Sequence, residues 1–368
     1  MKKLKVALVH DFLQSFGGAE RVTLALSKIF PEAPIYTLTY NPKLAKFFRG
    51  RKIIVSKLQK YSLLPAKFLL PFYAGAIEGF DFSGFDVVIS SSNSFAKNVI
   101  TPAATTHISY VHSPMRYVWD AWHTYLGEQS LSRAITKTMR GLLFKIRMWD
   151  KLGSSRVDMF VANSRNVRNR IRKYYRRDAQ IIYPPVDVDK ISMHPENKGY
   201  FLAISRLSYY KRLDLAIEAC RDLDVPLIVI GTGEEESKLK RLAGPNTKIL
   251  GWVNDAEKIK YLQNCRALIF PGEEDFGIVP VEAMAAGKPV IAFRKGGLLE
   301  TVIEGKTGIF FDEQSVVSLK RTLRLFITQE NKFDCKIIRK HAKKFSKKRF
   351  QDEIRELVAE SVKKKVLK

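Results

Sequence analysis

A chain of 368 residues, 46% hydrophobic and 27% charged, is longer than one ordinary domain, so two compact domains with separate cores are expected. That composition excludes a disordered or collagen-like chain. The 63 Lys and Arg outnumber the 37 Asp and Glu to leave a net charge of +26, which draws a protein to polyanions or anionic lipid and points to phosphate-rich partners. Cys220, Cys265 and Cys335 are widely spaced, odd in number and in no metal-ligand pattern. They are expected to be small buried thiols of a reducing compartment.

The opening "MKKLKVALVHDF" has an apolar run cut short by His10 and Asp11 and no small-residue cleavage site. It reads as a first buried strand rather than a leader. A glycine turn, "SFGGAER", and a helix over "ERVTLALSKIF" complete the start of a β-α-β unit. Short strands follow at "IYTLTY", "VVISSS" and "HISYVH", and the alternation predicts a parallel sheet flanked by helices. From Lys43 to Ile77, eight Lys or Arg and no acid are interleaved with "FF", "IIV", "LL" and "FLLPFY". The mixture suits a segment lying on an anionic membrane, or equally a solvated basic face over an ordinary core. Arg133 to Arg177 is again basic, with Asp150 and Asp158 as its acids. No run of about 18 uninterrupted apolar residues predicts a membrane span, so the protein is expected to be soluble or peripheral.

After "SSRVDMFVANS" and the helical "RNVRNRIRKYY", Pro184 and Pro185 of "IIYPPVDVDK" bar a helix and restrain the chain as a linker would. The pattern then restarts through "YFLAISRL", "RLDLAIEACRDL", "PLIVIG", "EEESKLKRLA", "TKILGWV", "DAEKIKYLQNC", "ALIFPG", "VEAMAAG", "PVIAF" and "TGIFF". The fold class is therefore α/β: two Rossmann-like domains, 1–185 and 190–345, with an interdomain cleft faced by strand C-termini. The amphipathic stretch within 346–368 is long enough to pack back on the first domain.

"FPGEEDFGIVPVEAMAAGKPVIAF" places Glu274 on a loop and Glu282 in a helix that Pro280 marks near its start and Gly287 near its end. Glu282 is thus expected in the first helical turn. Position alone also reads Glu282 as a charge at the positive end of the helix dipole, and Glu274 as a solvated loop acid. The whole string, with Phe276, Gly277 and Pro280 between the acids, resembles the E-x7-E donor site of the retaining GT-B glycosyltransferases of family 4. That resemblance extends in order over nearly the whole chain.

The resemblance implies a nucleotide-sugar donor, with Glu274 bonding hydroxyls of the sugar and Glu282 those of the ribose. Backbone N–H groups of Gly277, Ile278 and Val279 would meet the diphosphate at a helix N-terminus. "ISRLSYYKRLD" matches the family's R-x4-K element, so Arg206 and Lys211 would neutralise the leaving diphosphate and make a metal unnecessary. On its own the pair is also an ordinary basic helix start. Gly17 and Gly18 of "FGGAER" resemble the family's first glycine loop, although a tight turn asks for glycine in any case. His112 of "YVHSP" falls where the family has a histidine lining the reaction centre. The continuation "MRYVWDAWHTYL" resembles the WbaZ-like bacterial polysaccharide mannosyltransferases, which implies GDP-mannose as donor and a lipid-linked glycan as acceptor.

The Asp187-x-Asp189 of "PVDVD" looks like a metal-binding pair but sits in the linker, where it reads as structural. In "VIGTGEEESK" the glycines begin like a dinucleotide fingerprint, yet three acids occupy the place of the pyrophosphate and argue against NAD. The sequence thus leads to a metal-independent hexosyltransferase, cytoplasmic and peripheral on the inner face of the cytoplasmic membrane. Its rivals are a non-catalytic polyanion-binding protein and a nucleotide-sugar epimerase of GT-B architecture. The first is disfavoured because no nucleic-acid-binding signature accompanies the charge.

Overall fold

The computed structural model describes residues 4–120, 122 and 133–366. It divides into two units, one of residues 1–183 with 350–368, the other of 184–349. The first holds a seven-stranded parallel sheet in the order β3-β2-β1-β4-β5-β6-β7. Its strands are β1 (Val6–His10), β2 (Ile35–Thr37), β3 (Ile53–Val55), β4 (Val87–Ser92), β5 (Thr106–Val111), β6 (Met159–Ala162) and β7 (Gln180–Ile181). The second holds a six-stranded parallel sheet in the order β10-β9-β8-β11-β12-β13. These are β8 (Phe201–Ile204), β9 (Leu227–Ile230), β10 (Thr247–Ile249), β11 (Leu268–Phe270), β12 (Val290–Phe293) and β13 (Gly308–Phe311).

Parallel strands buried on both faces read as continuous apolar runs, and β1, β4 and β5 are buried at every position. Each sheet runs outward in both directions from its first strand. The order reverses between β1 and β4 in one unit and between β8 and β11 in the other. Such a reversal parts the crossover helices and opens a crevice at the strand C-termini. That rule fixes where each unit can hold a ligand.

Each sheet packs its own core. In the first unit, Leu8, Val22, Leu26, Ile35, Ile89 and Tyr110 cluster with Phe350, Ile354, Leu357 and Val358 of the C-terminal helix Lys347–Val366. In the second, Phe201, Ile217, Val229, Ile269 and Ile291 cluster with Leu319, Leu323 and Phe326 of the helix Val316–Gln329. Sequence periodicity finds most of these elements but misses β3, β7 and the helices Arg133–Gly153, Val316–Gln329 and Cys335–Ala342. All three thiols are free, Cys220 and Cys265 buried and Cys335 only half-buried, so the expectation of three buried thiols is corrected at Cys335. No helix among the described residues is long and apolar enough to cross a membrane.

The basic, apolar stretch from Lys43 to Ile77 is two things at once. Leu44, Phe48, Leu69, Leu70, Tyr73 and Ile77 are core residues. Leu63 is 99% exposed and Leu64, Phe68 and Phe72 are at least half exposed.

Candidate functional site

In the second unit, four loops leave the C-terminal ends of β8, β9, β11 and β12 and are held together by glycine. A Cβ on Gly231 would sit 1.8 Å from the Ser205 carbonyl oxygen, and one on Gly233 would sit 2.3 Å from that of Leu207. Main-chain bonds lock the same two loops, with Leu207 N–H donating to Thr232 O and Glu235 N–H to Leu207 O. The apparent dinucleotide fingerprint is therefore a packing device that fixes the loop carrying Arg206. Likewise Gly272 lies against the Lys211 backbone, where a Cβ would be 3.0 Å from its Cα. A Cβ on Gly296 or Gly297 would lie 2.3 Å from the carbonyl oxygen of Glu274 or Asp275 respectively, and Gly297 N–H donates to Glu274 O.

This packing brings Lys211 and Glu274 together as an ion pair at the sheet's reversal point, the lysine side chain 10% and the carboxylate 27% exposed. Two residues 63 positions apart thus meet on loops from adjacent strands. Arg206 does not share the enclosure. Its side chain is 72% exposed and lies 3.7 Å from Glu234, so the two cations of the R-x4-K element differ in setting.

Gly277, at φ +90°, starts the helix Ile278–Ala285, and Gly287, at φ +81°, follows its end. Both conformations are ones that other residues rarely adopt. The helix begins at Ile278, so Pro280 is its third residue, where a missing N–H costs no intrahelical bond. Glu282 consequently falls in the second turn, which corrects its expected place in the first; no acid occupies the first turn. Glu282 is 7% exposed, and both its oxygens accept from Lys258 Nζ at 2.7 and 2.8 Å. Lys258 projects from the helix Asp255–Asn264, which Asn254 and Glu257 cap reciprocally. Phe276 is 3% exposed, and its ring packs edge-on against Phe345 at 5.5 Å.

In the first unit, the reversal point brings His10, the last residue of β1, opposite Ser91 of β4. His10 Nδ1 lies 3.1 Å from Ser91 O, 3.2 Å from Ser91 Oγ and 3.0 Å from Thr23 Oγ1. His10 Nε2 is 3.5 Å from Glu20 Oε1, and Glu20 Oε2 accepts the Gly17 N–H at 2.8 Å. His112, one residue past β5, places Nε2 2.8 Å from Ser91 Oγ, while Asn163 Nδ2 donates to its carbonyl. Asp11 anchors the next turn by accepting the N–H groups of Asn93, Ser94, Phe95 and Ala96. Gly17 has an ordinary φ of −124° and Gly18 opens the helix Gly18–Ile29. The turn therefore does not need glycine for its conformation. A Cβ at Gly17 would crowd the Glu20 carboxylate at 3.2 Å.

The two histidines are pushed in opposite directions. Burial, and then the neighbouring His10, depress His112 to about 3, so its ring is neutral. Burial opposes the charge on His10 too, but the hydrogen bond and charge of Glu20, with Asp11 and the Ser91 carbonyl, outweigh it and raise its pKa. The sequence reading found His112 but neither His10, Glu20 nor Ser91. The Gly17-to-Glu20 interval, a capping spacing, was the available signal. Lys258 and the Gly296–Gly297 pair carried no comparable mark.

Residues 187–349 match the family described as Glycosyl transferases group 1, and residues 16–190 match Glycosyltransferase Family 4. The chain carries both glycosyltransferase domains. It is 29% identical over 209 residues to an uncharacterized glycosyltransferase of Methanocaldococcus jannaschii, covering 55% of this chain and 59% of that one. It is 37% identical over 141 residues to the alpha-1,3/1,6-mannosyltransferase ALG2 of Dictyostelium discoideum, covering 31% and 34%. The chain thus spans about a third to three-fifths of the length of these relatives. Among solved structures, Anabaena Alr3699/HepE in complex with UDP superposes with a TM-score of 0.71 at 18% identity, covering 97% of this chain and all of that one. The fold is GT-B.

Proposed function

We propose that this chain is a retaining glycosyltransferase of the WbaZ-like group. It transfers a hexose, mannose from GDP-mannose, to a lipid-linked glycan during cell-surface polysaccharide assembly. The observation that carries the reading is the Lys211–Glu274 pair at the reversal point of the second sheet, within the stretch that matches group 1 glycosyltransferases.

An ammonium beside a carboxylate suits a sugar diphosphate: Lys211, with Arg206, meets the phosphates, and Glu274 accepts sugar hydroxyls. The first N–H groups of the helix Ile278–Ala285 lack intrahelical partners and favour the diphosphate further. A carboxylate has about four acceptor sites, so Glu282 can bind ribose hydroxyls while Lys258 still holds it. The acceptor hydroxyl attacks the anomeric carbon on the face from which the diphosphate leaves. The new C–O bond forms as the sugar–phosphate bond breaks, and a phosphate oxygen takes the proton. Fixed cations stabilise the leaving charge without a metal cofactor. His112 belongs beside the sugar's hydroxymethyl group.

The mannosyl donor is supported by the ALG2 relative and by the "MRYVWDAWHTYL" stretch, of which Ala121 and His123–Leu126 lie outside the described residues. Membrane docking is supported by exposed Leu63, Leu64, Phe68 and Phe72, and by Phe144, Met148 and Leu152, which repeat every four residues along one exposed stripe of the helix Arg133–Gly153. With a net charge of +26, these residues suit an anionic leaflet.

The test incubates the purified protein with GDP-mannose, UDP-glucose or UDP-galactose and a polyprenyl-diphosphate-linked glycan. Mannosyl transfer with an α linkage is expected. An isomerised sugar formed without acceptor would identify an epimerase. Salt-sensitive nucleic-acid binding that survives Glu274→Ala, without transfer, would identify a polyanion binder.

A further inference from the structure

The hydrogen bonds around His112 form a directed chain whose far end is a charge. His10 is 1% exposed and has Glu20 on its Nε2 side, and the Ser91 carbonyl, Ser91 hydroxyl and Thr23 hydroxyl on its Nδ1 side. The Glu20 carboxylate and the Ser91 carbonyl can only accept, so they call for a proton on each ring nitrogen of His10, and an imidazolium has two N–H donors and no acceptor. The two hydroxyls around its Nδ1 can then only accept from it. Thr23 Oγ1 keeps an outlet for its own proton in the Ala19 carbonyl at 3.2 Å. The Thr23 hydroxyl also donates to Ser91 Oγ at 3.1 Å, so the acceptor left for the Ser91 proton is His112 Nε2 at 2.8 Å. A neutral imidazole that accepts at Nε2 carries its proton on Nδ1.

We infer that Glu20, His10 and Ser91 are positioning residues that lock His112 in its Nδ1–H tautomer, so that the ring presents a hydrogen-bond donor, not a base, to the transferred sugar. Placing the sugar beside His112 rests on the proposed function; the tautomer itself rests on the network alone. A His10 without its Nδ1 proton would accept from Ser91, whose oxygen would then accept from His112 Nε2–H. The tautomer would reverse. Glu20 thus sets the ring proton of His112 through two intervening side chains, and its other oxygen ties that control to the Gly17 backbone.

The experiment is long-range ¹H–¹⁵N spectroscopy of the full chain with ¹⁵N-labelled histidine, His112 being assigned by loss of its signals in His112→Gln. The wild type is expected to show a pyridine-like Nε2 and a protonated Nδ1 at His112. Glu20→Gln should exchange the two and lower kcat about tenfold, the effect of one hydrogen bond in the transition state, with donor KM within about twofold. Ser91→Ala should give a mixture of tautomers and serves if Glu20→Gln does not fold. A pyrrole-like Nε2 in the wild type would overturn the inference without any variant. So would a reversed tautomer with unchanged kcat, or a Glu20→Gln spectrum identical to the wild type. Because the spectrum needs no substrate, absence of transfer by the wild type would defeat the functional reading alone.

Discussion

The two units share a strand order and place their polar residues at the same point of it, yet they hold them by opposite means. In the first unit His10, Thr23, Ser91 and His112 are buried and joined by hydrogen bonds, with the Glu20 carboxylate 13% exposed at one end. In the second, Lys211–Glu274 is an ion pair on loops that glycines allow to touch, and Lys258–Glu282 is an ion pair between two helices. A hydrogen-bonded network sealed from water is set before any ligand arrives. An ion pair whose carboxylate retains 27% exposure can instead exchange one partner for another. On the proposed function, the first unit would supply fixed orientation and the second a charge that answers a charged ligand.

If that contrast holds, the largest effect belongs to the exchangeable charges. Glu274→Ala and Lys211→Ala should each lower transfer at least ~10²-fold, the usual cost of a lost charge-stabilising contact, with the circular-dichroism spectrum and melting temperature near those of the wild type. Near-normal turnover in either variant would remove the donor-site assignment.

Next comes the packing that aligns the loops. Gly297→Val would drive a side chain into the Asp275 carbonyl, which a Cβ alone would approach to 2.3 Å. A loss of about 1–3 kcal/mol in urea denaturation is expected, with weaker donor binding. Gly251→Ala is the contrast: its Cβ would meet nothing within 4 Å, but φ is +72°, so any loss there reports backbone strain alone.

The pH response sharpens the same comparison from the first unit. His107 and His112 are depressed by burial to about 4 and about 3, so below the ordinary histidine range the unfolded chain binds protons that the native chain refuses. Stability should therefore fall as pH drops from about 6.5 toward 4, by up to about 1.4 kcal/mol per pH unit for each histidine. His10 acts in the other direction: its raised pKa stabilises the fold below about pH 6.5, and that contribution fades as pH rises through its folded value. Urea midpoints at pH 6.5, 5.5 and 4.5 measure the fall, and His112→Asn should flatten it.

The smallest effect is expected at Lys258. Lys258→Met should cost about 1 kcal/mol or somewhat more by leaving a nearly buried carboxylate without its cation, and Glu282→Gln in the same chain should restore much of it. A double-mutant cycle by thermal denaturation reads the coupling.

Much of the architecture is legible in the residues because a parallel α/β fold writes its period locally: "YFLAISRL" and "PLIVIG" contain strands and "RNVRNRIRKYY" is a helix from end to end. The acids of the candidate site are legible because a turn glycine and a proline lie between them. What joins them is not. Lys258 meets Glu282 across 24 positions and Gly297 meets Glu274 across a loop crossing, and neither contact has a local period. The Phe276–Phe345 ring contact joins positions 69 apart and is equally without a local period. The exposed Leu63 and the buried Leu69 lie six residues apart in one apolar, basic stretch, and composition alone did not separate surface from core.

The account turns on Lys211 and Glu274 binding a sugar nucleotide, and a melting-temperature panel with nucleoside diphosphates and nucleotide sugars measures that directly. At a hundredfold excess over Kd a ligand of the native state adds about 2.7 kcal/mol. GDP-mannose should therefore raise the melting temperature of the wild type by several degrees, and Lys211→Ala should abolish the rise. A wild type indifferent to every nucleotide sugar, or a variant shifted as far as the wild type, would contradict it.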